Sequence, residues 1–309
     1  MDTVRTDVAV VICSRGRERA LLRLLTDLND RFVPALAQGD LRCSVWVYAQ
    51  GYPAEYLASL RTAFAGPVAA GTLVITVADR PHGRIGDVVQ AALTALNARC
   101  RYALAMLMDD DSVYYADPVV DENLHRAARR FIAGRHRAYS IKLGTATALE
   151  YVPFVNPAGP IMPFKEKMLW VSREVVEEVL ALPRFAELSI GEDAVIAAVA
   201  WLPDPESCFG VFGIATFIHI GYEASEEFGG QELPGGYAEL MNYKGHPPEA
   251  IGHFGKYDEA LKKGITPQHV MPDVFVPEGH PLWEFNGIRD DVMVGPLRQR
   301  RFLGTAASA

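Results

Sequence analysis

The sequence is short of cysteine, of positive charge and of long apolar runs, and each shortage removes a class of protein. Its four cysteines (Cys13, Cys43, Cys100, Cys208) are scattered over 309 residues, with no CxxC pair and no histidine at metal-ligand spacing. That excludes a disulfide-stapled scaffold and a structural zinc site, and it reads as the reduced thiols of a cytoplasmic protein. Lys and Arg number 30 against 38 Asp and Glu, for a net charge of −8. Broad binding to DNA or RNA needs the opposite balance, because a basic face must displace counterions. A local basic pocket for a small anion stays compatible with that total. The longest apolar stretch, Cys208–Ile220, is broken by glycines and too short to span a bilayer, so no transmembrane segment is expected. Val8–Cys13 is only strand length before it meets Ser14-Arg15-Gly16-Arg17, so it does not read as a signal peptide. There is no internal repeat and no low-complexity tract.

Half the residues are hydrophobic and 22% are charged, the balance of a globular chain with a sizeable core. The first half alternates between two periods. Strands are expected at Asp7–Cys13, Ser44–Ala49, Gly71–Ala78 and Tyr102–Met108, and helices at Glu18–Asn29, Ala54–Phe64 and Gly86–Ala98. Such alternation with short connections predicts an α/β fold with a mostly parallel sheet covered by helices on both faces. The second half is less regular. Helices are expected at Asn123–Ala133, at Ser172–Leu182 with Ser172 as its N-cap, and at Glu192–Trp201. Strands are expected at Tyr139–Leu143 and Val211–Ile220, a proline-rich loop at Pro153–Pro163, and long glycine- and proline-rich loops from Gly221 onward. The chain so divides into a regular half over residues 1–138 and a less regular half over 139–309, which the resemblance described below makes the nucleotide-sugar-binding and acceptor-binding halves.

Three constellations carry chemistry. The apolar run Leu104–Met108 ends directly in Asp109-Asp110-Asp111-Ser112. A parallel strand delivers the residues after it to the carboxyl edge of the sheet, where open α/β folds bind ligands. Three adjacent carboxylates repel one another unless a cation offsets them, and hard oxygen ligands suit Mn²⁺ or Mg²⁺. The second constellation is Ser189-Ile190-Gly191-Glu192-Asp193 at a helix start, which could be dipole-favoured capping or the mount of a general base. The third is a pair of basic turns, Arg15-Gly16-Arg17 after strand one and His82-Gly83-Arg84 after strand three, able to meet a diphosphate. His219, His246 and His253 are candidates for a further metal ligand, with core packing the competing reading for His219. Trp170 and Trp201 could stack on a sugar or simply fill the core.

Together these residues resemble the family 2-like glycosyltransferases of the GT-A fold, over about residues 7 to 203. The matching features are Val8–Arg17, the strand ending in Asp109–Asp111, the segment Lys167–Val176 and the Gly191-Glu192-Asp193 helix start. The resemblance implies a Rossmann-like half joined to an acceptor half, with the acidic triplet as its DxD motif. It places Asp109 near the donor sugar or ribose and Asp111 on the metal, with Asp110 beside them. Asp193 matches the catalytic base of inverting members, with Glu192 adjacent, and Cys13, Ser14 and Arg15 match the turn that lines the nucleoside. Arg17 and Arg84 join the donor contacts as cations. One departure is Ala49-Gln50-Gly51-Tyr52, where many members carry acidic residues that contact the nucleotide, and Asp79 is the substitute for reading the base.

The expected activity is metal-dependent transfer of a sugar from a UDP- or GDP-linked donor to an acceptor hydroxyl, with Asp193 as base. Asp109, Asp111 and His219 form the metal candidates. Two rivals stand beside it: a sugar-1-phosphate nucleotidyltransferase, and a nucleotide-sugar-binding protein without catalysis. The acceptor is open, and a homo-oligomer is compatible with all of these features.

Overall fold

In the computed structural model the described residues are 4–110, 112–114, 118–141, 143–145, 169–188, 192–201, 203, 208–211, 217–219 and 268–269. The proline-rich loop at 153–163, the stretch 221–255 with His246 and His253, and Asp111 and Gly191 lie outside them.

A short β1 (Val4–Arg5) precedes the first long strand, β2 (Val8–Arg15). After helix α1 (Glu18–Asp27), the π-helical turn Leu28–Phe32 and helix α2 (Val33–Gln38), the chain enters β3 (Cys43–Gln50). Helices α3 (Ala54–Ala63) and α4 (Ala65–Ala70) lead to β4 (Leu73–Val77). Then come α5 (Ile85–Arg99), β5 (Cys100–Arg101), which pairs with β1, and β6 (Leu104–Asp109). The strand β7 (Ser112–Tyr114) and helix α6 (Pro118–Ala133) come next, then β8 (Ala138–Ile141) and β9 (Leu143–Thr145). Further on lie β10 (Leu169–Ser172), α7 (Arg173–Leu180), a 3-10 turn at Phe185–Glu187 and α8 (Glu192–Trp201). The last described strands are β11 (Cys208–Val211), β12 (Phe217–His219) and β13 (Gln268–His269). Among the described residues no helix is long and apolar enough to cross a membrane.

Among the described residues one sheet holds eight strands in the order β13-β11-β8-β10-β6-β2-β3-β4. All neighbours pair in parallel except β10, which runs antiparallel to both β6 and β8. A second sheet, β7-β12-β9, lies outside it. Side chains alternate across the pleat. Val8, Val10 and Ile12 join one core with Leu21, Leu24 and Leu25 of α1, Leu57 and Leu60 of α3, and Leu124 and Phe131 of α6. Ala9 and Val11 face the other core, with Val89, Leu93 and Leu96 of α5, Val175 of α7 and Val195 and Ile196 of α8. The sheet is therefore covered on both faces, as its near-continuous apolar strands require. Trp170 is 1% exposed and belongs to the first core, so packing explains it.

Two local differences from the sequence reading have physical causes. The helix expected over Glu18–Asn29 runs on through the π-helical turn into α2, which has Pro34 in its first turn. A proline lacks the N–H for an i−4 bond and crowds the preceding turn, and widening that turn lets the helix continue. The single strand expected over Val211–Ile220 is instead β11 and β12, which join different sheets; Gly213 interrupts the apolar sequence between them.

Two polar networks fix the helices that reach the sheet's carboxyl edge. Buried Arg137 donates to the carbonyls of Val199 (3.2 Å) and Ala200 (2.8 Å), in the last turn of α8. It also pairs with Glu178 of α7 at 2.7 Å. A cation at a helix C-terminus meets the negative end of the dipole, so α8 is anchored by its far end. At the other edge, His82 is buried, with Nε2 at 2.8 Å from the Tyr48 hydroxyl and Nδ1 at 2.7 Å from Asp87. Asp87, in the first turn of α5, also accepts from Arg80 at 2.8 Å. Gln50 donates to the His82 carbonyl at 3.0 Å. The loop between β4 and α5 is thus tied to β3 on one side and to the helix start on the other.

Burial alone pushes the Asp87 carboxyl up, but hydrogen bonds from His82 and Arg80 and both their charges outweigh it, leaving it below the ordinary aspartate value. A depressed folded-state pKa means the stabilisation is present above the unfolded value, about 3.9, and is lost as pH falls through the folded one. Asp87→Asn therefore lowers the melting temperature at pH 7, by roughly 2–4 °C for each kcal/mol lost. The deficit relative to the parent narrows below about pH 4. Thermal melts of both proteins at pH 7, 5 and 3 measure this, and a deficit that does not change with pH assigns the loss to packing instead of charge.

Candidate active site

The order of strands determines where a ligand can sit. From β2 the chain moves outward to β3 and β4, then crosses back to β6 on the other side of β2. Loops leaving β2 and β6 diverge, and the crevice between their carboxyl ends is the switch point at which open α/β sheets bind ligands. The register fixes what meets there: Cys13 at the end of β2 is the partner of Asp109 at the end of β6, and Arg15 is the partner of Gln50 on β3.

A directed chain of hydrogen bonds binds the two strand ends together. Ser14 Oγ donates to Asp110 Oδ2, while the Arg17 guanidinium reaches Asp110 Oδ1 at 3.1 Å. The Tyr52 hydroxyl contacts Ser14 Oγ and accepts from the Arg17 backbone N–H at 3.1 Å. Since the Ser14 proton is committed to the carboxylate, Tyr52 is the donor to Ser14. The relay therefore runs from Arg17 N–H through Tyr52 and Ser14 to Asp110, each member polarising the next. The Tyr52 phenol is pushed well above its ordinary range, first by burial, and stays protonated as the relay needs. Asp110 is only 4% exposed in its side chain against 37% for Arg17, so the pair is a buried charge answered by a cation at the surface. The backbone allows this because Gly16 sits at φ +65°, a left-handed conformation that glycine adopts without strain, and donates to the Gln50 carbonyl at 3.1 Å. Tyr52 comes after Gly51 in the segment that departs from the family pattern. It had no motif to mark it; only an aromatic hydroxyl just past a strand end hinted at it.

The first acidic motif meets Cys13 in register, through Asp109. Its thiol is pushed far up, first by loss of solvation and then by the charges of Asp109, Glu192 and Asp110, in that order. Glu192 and Asp193 are half-buried in the first turn of α8, on the same face of the sheet as Cys13. Arg15 is exposed at the rim. Asp79 is exposed beyond β4, close enough for its charge to raise the Tyr48 phenol. Arg84 is exposed at the start of α5 and donates to the Glu187 carbonyl at 3.0 Å, so the fold turns it toward the approach to α8.

For a divalent cation the chemistry of the donor set is the test. Both oxygens of Asp110 already accept hydrogen bonds, while Asp109 is half-buried at the rim. Among the described residues no group of three His, Cys, Asp or Glu is placed to hold a metal. A set would draw on residues outside the described ones, and Asp111 is the sequence candidate among them. The backbone register contributes one more candidate, since His219 on β12 is the partner of Ser112 on β7, one residue past Asp111. Carboxylate oxygens are fitting donors for Mn²⁺ or Mg²⁺, whereas the imidazole is a softer ligand that suits later transition metals better.

No family model matches the sequence, and no curated protein does. Solved structures match in fold. S. aureus TarS 1–349 superposes with a TM-score of 0.51 at 12% identity, covering 97% of this chain and 91% of that one. TarS 1–349 in complex with UDP-GlcNAc gives 0.50 at 14% identity, covering 83% of this chain and 74% of that one. Against a longer TarS chain the score is 0.50 at 13% identity, covering 83% of this chain and 43% of that one, so this protein spans less than half its length. The mixed α/β architecture with its mostly parallel central sheet is the GT-A fold.

Proposed function

We propose that the protein is a glycosyltransferase that moves a sugar from a nucleoside-diphosphate donor to an acceptor hydroxyl, by single displacement with Asp193 as the base. One observation carries the reading: Asp109 at the end of β6 is in register with Cys13 at the end of β2, at the switch point of a GT-A sheet, and the Glu192–Asp193 start of α8 lies on the same face. TarS 1–349, which shares the fold, has been solved in complex with UDP-GlcNAc, so a UDP-sugar is the first donor to try and a GDP-sugar the second.

In this reading each residue has a chemical task. Cys13, Ser14 and Arg15 line the nucleoside side of the crevice, with Asp79 toward the base. Arg17 offers a guanidinium donor to the diphosphate, which this acidic chain would otherwise repel, while Arg84 is held on the Glu187 carbonyl. Asp110 works through its hydrogen bonds to Ser14 and Arg17, keeping the turn after β2 in place. Asp109 faces the donor sugar or ribose. A divalent cation held by Asp111, Asp109 and His219 would neutralise charge on the diphosphate. Asp193 takes the proton of the acceptor hydroxyl as its oxygen bonds to the anomeric carbon and the bond from that carbon to the diphosphate breaks. Glu192 stands beside it in the first turn of α8.

Asp193→Asn should lower turnover by about 10²–10⁴-fold, the usual contribution of a positioned base, while nucleotide affinity stays near that of the parent. Donor consumption and calorimetry with UDP measure the two separately, and an active variant removes Asp193 from the role. Asp111→Ala should abolish the dependence of UDP binding on Mn²⁺. Titrating UDP with and without the metal reads this directly, and identical isotherms for variant and parent would eliminate the metal assignment.

A further inference from the structure

The start of α5 touches the chain just ahead of Glu192 and Asp193, and the contact is unusually close. Gly86 is buried, and a Cβ added there would lie 2.2 Å from the Phe185 carbonyl oxygen and 2.9 Å from the Leu188 Cβ. No side chain fits without moving backbone. The Gly86 N–H donates to the Leu188 carbonyl at 3.0 Å, and Arg84 donates to the neighbouring Glu187 carbonyl at 3.0 Å. The turn so gripped is stiff in itself. Arg184, at φ +64°, forks onto the Glu187 carboxylate at 2.8 and 2.5 Å, and Leu188 N–H returns to the Phe185 carbonyl at 3.1 Å. Phe185 and Leu188 are buried in one core with Val89 and Leu93 of α5 and Val195 and Ile196 of α8.

The same helical turn is held from the opposite direction. Asp87, next to Gly86, is bound by Arg80 and His82, and His82 by Tyr48 on β3. An unbroken line of contacts therefore runs from β3 through the loop 79–84 and the first turn of α5 to residues 184–188, four residues short of Glu192. Nothing in the acid–base scheme uses these groups, yet they span from the nucleotide side of the sheet to the base-bearing helix.

We infer that Gly86 and Arg84 are positioning residues: the first turn of α5 is a strut that sets the Glu192–Asp193 end of α8 against the donor edge. The inference rests on the glycosyl-transfer reading for its kinetic consequence and on contacts alone for its mechanical one. Adding one methyl group at Gly86 displaces the 185–188 turn and moves the base off its line to the acceptor oxygen. Misplacement of a reacting group by about 1 Å can cost on the order of 100-fold in rate, while groups that bind the nucleotide stay where they were.

The test uses the full chain as parent, Gly86→Ala and Arg84→Ala. UDP release from UDP-GlcNAc in the absence of acceptor is measured, water serving as the attacking hydroxyl and giving its proton to Asp193. Calorimetry gives the UDP affinity with Mn²⁺ present, and hydrogen–deuterium exchange tracks the amides. Expected for Gly86→Ala are a loss of kcat of about 100-fold, a UDP Kd within about twofold of the parent, and faster exchange over residues 185–196 with β2 and β6 unchanged. Arg84→Ala, which removes one exposed hydrogen bond and keeps the fold, moves kcat and exchange the same way by less, and it decides the matter if Gly86→Ala does not fold. Unchanged exchange over 185–196 overturns the strut, as does full turnover in both variants. A loss of UDP affinity that matches the loss of turnover also overturns it, and for Arg84 marks a donor contact. A parent that neither binds UDP nor releases it sinks the glycosyl-transfer reading alone, and the exchange pattern still decides the strut.

Discussion

A carboxylate withdrawn from water must be answered by donors, and at the switch point of this sheet that demand organises everything around it. Asp110 is nearly inaccessible, and its two oxygens are met by Arg17 and Ser14 from the turn after β2. Removing one partner of such a pair leaves an uncompensated buried charge, at a cost of about 3–5 kcal/mol. The turn after β2 therefore cannot drift away from the end of β6 without a large penalty. Tyr52 extends the same constraint to β3, because its hydroxyl feeds the Ser14 proton forward to the acid. Three strand ends are held by one charge.

The same constraint divides the labour within the acidic triplet. With Asp110 turned inward and satisfied, its neighbours carry whatever outward chemistry the rim performs. Asp109 stands beside Cys13 in register, and the start of α8 lies on the same face of the sheet. Like charges gathered at one rim repel one another and call for a cation, which a leaving diphosphate would also need in the proposed transfer. The basic residues of the first turn, Arg15 and Arg17, supply the opposite sign within a few residues of the acids.

Much of this was legible in the residues, and the remainder was hidden for identifiable reasons. The strands β2, β3, β4 and β6 announced themselves because buried parallel strands are continuous apolar runs, and the acidic run betrayed itself by its place directly after one of them. The carboxyl-edge placement of Arg15 and Arg17 came from the same logic. The division of roles inside the triplet was not readable, because it depends on Ser14 and Tyr52 approaching from two other strands. Nor was the double use of the α5 start. Gly86 looked like an ordinary helix residue, and only the backbone of residues 185–188 pressed against it reveals why a side chain is excluded. Pro34 sits in a helical stretch that its ring should interrupt, and the wider turn ahead of it resolves the conflict. Contacts between elements distant in sequence leave no periodic trace, so they surface only in three dimensions.

The reversal of β10 within the eight-stranded sheet has a consequence for polarity. Ser172, the last residue of β10, pairs with Leu104, the first of β6, so β10 delivers the chain to the floor of the sheet instead of its rim. Helix α7 must then climb, the turn at 181–188 caps the ascent beside Gly86, and α8 descends to the floor, where Arg137 receives its carbonyl end. One change of direction inverts the phase of the two described α-helices after it. Had β10 run with its neighbours, the next helix would have started at the rim and the one after it at the floor. Glu192 and Asp193 would then lie a full sheet-height from Asp109, and the positive pole of α8 would point away from the anions gathered at the top.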